Sequence, residues 1–191
     1  MKKTLIVLMM VLLCAMLVVS CDDNKNAPSE TAYKVGDTGP AGGIIFYVNT
    51  DSSADWKYLE AGKADLSGTY KWGSEVVKCE TKDGIGDGLE NTRKLSEKGS
   101  GYEAACAVYG KDLYDNGYTD WFLPSKEELN LMYNNLYKQD SSIGDFTGAS
   151  YWSSSEYNNG SYAWFIVFST GYLSANIKTD SRPVRPVRAF K

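Results

Sequence analysis

The chain is 191 residues long and mildly acidic, with 24 Asp and Glu against 20 Lys and Arg and a formal charge of −4. That balance, with no basic tail, argues against nucleic acid as a partner. Histidine is absent, which removes the usual general base, the commonest metal ligand and the physiological-pH switch, and excludes Ser-His and Cys-His nucleophile systems.

The N-terminus carries the strongest local signal. Met1-Lys2-Lys3 supplies positive charge, and Leu5 to Val19 is an unbroken apolar run. The run is short for a membrane span, which needs about 20 residues, and fits the apolar region of a secretory signal. It ends in Leu17-Val18-Val19-Ser20-Cys21, which resembles the cleavage box of bacterial lipoproteins. That resemblance implies a signal peptide over 1–20 and a lipidated Cys21. More than one acyl chain gives stable anchoring. Residues 21–32 then read as the lipidated cysteine and a polar tether. At full extension that tether reaches about 35–40 Å. The expected location is the bacterial cell envelope, at the outer membrane or surface; Asp22 and Asp23 make the inner membrane the alternative.

Residues 33–191 have the length of one domain, and a chain of about 150 residues buries some 70% of its unfolded surface. Gly39-Pro40-Ala41-Gly42 is a turn, and Gly43 to Val48 is a strand apolar on both faces, hence expected to be central. Trp56 to Glu60 alternates as a second strand. Cys79 and Cys106 remain once Cys14 and Cys21 are set aside. In an oxidising compartment they are either a disulfide or two separate thiols, with the disulfide favoured. Asp83 to Gly88 is a Gly/Asp turn leading into a helix; it lacks the ligand pattern of an EF-hand loop. Helices are predicted over Leu89–Glu97, over Tyr102–Tyr109, and after Ser125, where Ser125 and Glu128 form a capping box. Leu129, Met132, Tyr133 and Leu136 share one face of that helix.

After Gly148 the period changes to that of strands. Ala163 to Phe168, AWFIVF, is apolar on both faces and reads as core. Tyr172 to Ile177 returns after a turn, and Pro183 to Phe190 is a last strand kept to an edge or bulge by its two prolines. Ser153 to Tyr162, and the residues after Gly171, have the Tyr, Ser, Asn and Gly composition of a recognition surface. Tyr157, Asn158, Asn159, Tyr162, Tyr172 and Asn176 are the expected contact residues. The alternative is that such residues fill exposed loops. No catalytic residue, metal site or cofactor is expected. Asp120 and Glu156 are carboxylates that would have to converge for a glycosidase, and nothing in the sequence brings them together.

Taken in order, WFLPSKEELNLMY, YWSSSE, AWFIVF-STGY and VRPVRAF, with YKVGDTGPAGGIIFYV before them, resemble the Lcl C-terminal domain family, a domain of unknown function in bacterial surface lipoproteins and a collagen-like adhesin. The resemblance implies one α+β domain similar to C-type lectin-like and formylglycine-generating folds. Two or three helices would pack on a mainly antiparallel sheet in which the first and last strands pair. The calcium-binding sugar motifs of lectins are missing, as are the placed cysteines of the enzymes. It therefore implies a non-catalytic module that binds a glycan or protein ligand. Lys178, Arg182, Arg185, Arg188 and Lys191 form a basic strip only if they do not pair with acids, and cross-strand pairing is expected. Two alternatives stand beside this reading: a structural envelope lipoprotein without its own ligand, and a variable target of a diversity-generating retroelement.

Overall fold

A computed structural model describes residues 32–74, 76–157 and 160–191; Cys21, the tether before Ala32, and Asn158 and Asn159 lie outside the described residues. From Ala32 to Lys191 the chain forms one compact α+β unit. Its antiparallel strands are β1 (Ile44–Val48), β2 (Tyr58–Ala61), β3 (Tyr70–Lys71), β4 (Ser150–Glu156), β5 (Tyr162–Val167), β6 (Tyr172–Ile177), β7 (Ser181–Arg182) and β8 (Val187–Phe190). Among the described residues, three α-helices lie between β3 and β4: α1 (Gly88–Glu97), α2 (Glu103–Val108) and α3 (Lys126–Met132), the last continued by a π-helical turn over Tyr133–Tyr137.

The strands form small sheets ordered β1-β2-β8, β3-β7 and β4-β5-β6. β2, not β1, is central: β1 and β8 both pair with it and not with each other. The expectation of a central β1 fails because apolar residues on both faces report cover on both faces, not hydrogen bonds on both edges. Ile45 and Phe46 are fully buried at the edge of the sheet. β8 begins only after Pro186 and sits at the other edge, where a missing N–H costs least. The turn before β1 is held by Glu60, whose carboxylate accepts from Ala41 N and Gly43 N and pairs with Arg188.

α3 starts as its sequence requires. Ser125 Oγ accepts from Glu128 N, and Glu128 Oε2 accepts from Ser125 N at 2.7 Å. Leu129, Met132 and Leu136 are then fully buried.

β4 and β5 run between two cores. Trp152, Ala163 and Phe165 face a cluster containing Trp72, Leu95, Val108 and Trp121. Tyr151, Ile166 and Phe168 face a second, built on Phe46, Phe122, Leu129 and Met132. This is why AWFIVF is apolar on both sides. The serines before it are a correction to the sequence reading. Ser153, Ser154 and Ser155 are fully buried, not part of a surface. The β4–β5 register shifts between Trp152 and Glu156, so these residues form a bulge whose backbone cannot use the ladder. Their hydroxyls act instead. Ser153 Oγ donates to Trp164 O, Ser155 Oγ donates to Lys82 O, and Ser154 Oγ accepts from Asn91 Nδ2.

Candidate functional site

Past the bulge, β4 and β5 leave the second core and continue as a hairpin. Tyr157 N donates to Tyr162 O at 2.9 Å and Gly160 N to Tyr157 O. Gly160 has φ +79°, and a Cβ there would meet Lys78 N at 3.3 Å, so the hairpin rests directly on the 77–80 segment. That segment is fixed by a buried ion pair. Lys178 Nζ lies 2.5 Å from Glu156 Oε1, with side chains 2% and 5% exposed. Glu156 also accepts from Cys79 N and Glu80 N, and Lys178 donates to Val77 O and stands 4.6 Å over the Trp72 ring.

On this support sits an open pocket of about 320 Å³, lined by Tyr157, Tyr162, Trp164, Leu173, Ser174 and Ala175. Trp164 and Tyr157 meet edge to face at 5.0 Å. Lys126, the first residue of α3, holds its ammonium 5.0 Å over the Trp164 ring and is paired with Asp83 at 2.6 Å and Glu127 at 3.4 Å. Burial pulls the Lys126 ammonium down, but its bonds to Asp83 and Glu127 outweigh this and leave it above its ordinary value. Among the described residues, the Tyr157 and Tyr162 hydroxyls and the Trp164 indole N–H have no hydrogen-bond partner. An aromatic wall with free polar tips is suited to a ligand that offers both apolar surface and hydrogen-bonding groups.

The predicted contact residues do not form one set. In the β5–β6 register Trp164 opposes Ala175 and Ile166 opposes Leu173, whereas Ala163 opposes Asn176 and Val167 opposes Tyr172. Opposed side chains share a face, so Tyr162 stands on the pocket face while Tyr172 and Asn176 stand on the other. Tyr172 is 62% exposed. Asn176 is occupied internally: Nδ2 donates to Asp180 Oδ2 and Oδ1 accepts from Ile177 N. Sequence reasoning missed Trp164, which the AWFIVF run disguised as core, and Leu173 and Ala175.

The remaining candidates are structural. Arg185 pairs with Asp65 and donates to the Gly62, Gly144 and Asp145 carbonyls. Arg188 pairs with Glu60 and, in fork geometry, with Asp120. Arg182 lies 3.9 Å from the Phe165 ring centre, with Asp180 3.7 Å from its guanidinium. The basic strip is thus mostly folded inward as pairs and stacks, and Asp120 and Glu156 belong to separate ion pairs. The Asp83–Gly88 turn closes on itself through Asp87 Oδ2, which accepts from Gly84 N, and leads into α1. Cys79 and Cys106 are not disulfide-bonded, which corrects the favoured pairing. The Cys79 thiol donates toward Val77 O and Tyr102 OH, and the Cys106 thiol toward Gly99 O. Each is tucked into its own turn. Burial pushes the Cys106 thiol up.

A family profile described as the Lcl C-terminal domain matches residues 65–188, a span that includes every residue lining the pocket. No curated protein matches the chain.

Proposed function

Since the chain belongs to the Lcl C-terminal domain family, we propose that its compact unit is a non-catalytic binding module. It takes a glycan or protein ligand outside a bacterial membrane, to which an acylated Cys21 tethers it. The observation that carries this reading is the open aromatic pocket. Tyr157, Tyr162 and Trp164 gather at a hairpin end, with polar atoms free of internal hydrogen bonds among the described residues, while Trp72, Trp121 and Trp152 are fully buried. Exposed aromatic surface of this kind marks interaction sites.

The test is a binding screen of the full chain in detergent against glycans, sulfated polysaccharides and extracellular-matrix proteins. Saturable binding that disappears in the Tyr157→Ala/Tyr162→Ala variant supports the reading. Binding that survives the double substitution overturns the site. In cells, Cys21→Ser moves the chain from the membrane to the soluble fraction if the tether is correct.

A further inference from the structure

We propose that β6 is a docking edge for an extended peptide segment of another protein, which adds as a fourth strand to the β4–β5–β6 sheet and sets a bulky apolar side chain into the Tyr157–Tyr162–Trp164 pocket. This rests on reading that pocket as the ligand site.

β6 lies at the edge of its sheet. Just beyond it, Lys178 N donates to Ser161 O at 3.1 Å, so Ser161 and Lys178 are a hydrogen-bonded pair. Hydrogen-bonded and open pairs alternate along an antiparallel ladder. The backbone groups of Tyr172, Ser174 and Asn176 therefore point into the sheet, and those of Leu173, Ala175 and Ile177 point out. The Ile177 end is closed: its N–H goes to Asn176 Oδ1 and its carbonyl accepts from Asp180 N. Leu173 and Ala175 are left with outward donors and acceptors and, among the described residues, no strand beyond β6 to pair with. Edge strands are normally guarded by lysine, proline or a bulge. YLSANI carries no charge and no proline, and its pairing with β5 runs without a shift.

Leu173 and Ala175 also line the pocket. A guest residue hydrogen-bonded opposite either of them projects its side chain on that same face. The guest residues that make the main-chain bonds are thus the ones whose side chains reach the aromatic wall. Main-chain bonds supplying affinity and a pocket supplying specificity is the logic of strand addition. The occupant follows from size. A second copy pairing through its own β6 would bring only the aliphatic Leu173, Ala175 and Ile177 to this face, and none of them offers a ring to stack in a cavity of about 320 Å³ between three aromatic side chains. A foreign segment with Trp, Tyr or Phe at one position, flanked by uncharged residues, fills it.

The test uses the full chain in detergent and short threonine-rich peptides differing at one central position: Trp, Tyr, Phe, Leu or Ala. The aromatic peptides are expected to bind about tenfold or more tightly than the alanine peptide, since burying such a ring is worth roughly 1.5–3 kcal/mol. Binding should slow hydrogen exchange at the Leu173 and Ala175 amides. Ala175→Pro removes an outward N–H that the native ladder does not use and should abolish binding; if the proline variant loses its circular-dichroism spectrum, an aromatic peptide N-methylated at its central residue, which lacks the main-chain donor but keeps the ring, repeats the test on the unaltered chain. Failure of every peptide to bind, unchanged exchange at those amides, or a dimer lost on Ala175→Lys would each overturn the proposal, the last assigning the edge to a second copy. If ligands from the wider screen are lost in Tyr157→Ala/Tyr162→Ala but unaffected by Ala175→Lys, the pocket stands and strand addition falls. If neither variant alters any binding, both fall.

Discussion

Lys178 and Glu156 are 22 residues apart in sequence and meet at 2.5 Å inside the protein. The pair joins the ends of β4 and β6 to the 77–80 segment under the pocket hairpin. Removing one partner leaves a buried charge alone, which costs about 3–5 kcal/mol. Lys178→Met is therefore expected to lower stability by that amount in chemical denaturation. It should also speed exchange at the Cys79 and Glu80 amides, which depend on Glu156 being held. A variant as stable as the parent would show that the pair contributes nothing net.

Glu128 makes stability depend on pH. Burial pushes its carboxyl up to about 7, against the pull of the Ser125, Gly86 and Gly88 backbone N–H groups. The folded chain then holds this proton more tightly than the unfolded chain, whose value is 4.5. The favourable difference is fully present below about 4.5 and is lost as pH rises through about 7, so this group's contribution to stability falls across that window. Comparing unfolding free energies of the parent and Glu128→Gln over these pH values isolates it. The amide also turns a donor toward a backbone N–H, so below about pH 4.5 Glu128→Gln should be less stable by about 1–3 kcal/mol, a deficit that shrinks as pH rises through about 7.

Tyr157 and Tyr172 separate the two faces of the hairpin sheet. Tyr157→Ala/Tyr162→Ala should abolish pocket binding with little change in melting temperature, because Tyr157 is 37% exposed and both hydroxyls are unbonded among the described residues. Tyr172→Ala should leave pocket affinity unchanged, being on the opposite face. Loss of binding in Tyr172→Ala would mean that the ligand wraps the β6 edge.

The two thiols offer a direct chemical check. After alkylation of the denatured chain, intact mass should be the same with and without prior reductant, since both thiols are already free. In the folded protein a thiol reagent should label Cys106, which is partly exposed, before Cys79, which is 4% exposed. A Cys79–Cys106 disulfide found by peptide mapping would contradict the free thiols.

Much of the architecture was legible one element at a time. The capping box at Ser125 and Glu128, the paired apolar faces of AWFIVF, the Tyr172–Ile177 return and the edge position of the proline-bearing last strand all follow from local chemistry that neighbouring residues share. The candidate site was legible only in part. Tyr157 and Tyr162, singled out by composition, line the open pocket. Ser153–Ser155 were misread because hydroxyls that satisfy a buried bulge have the same composition as hydroxyls that face solvent. Asn176 was misread because an amide engaged by Asp180 and Ile177 looks no different in sequence from a free one.

By itself the sequence determined the types of most elements, the two-residue β3 and β7 and the π-helical turn aside, together with the capping of α3, the double-sided burial of β5 and membership of the family, since each depends on spacing along the chain or on motif order. Only the tertiary structure decided that β2 is the central strand, that the cationic residues near the C-terminus turn inward to Glu60, Asp65, Asp120 and Glu156, and that Trp164 leaves the core to line a pocket with Leu173 and Ala175. Pairing, burial and the facing of a side chain depend on which distant segment arrives beside it. Residues with identical local chemistry diverge once one of them meets a buried carboxylate and another meets water.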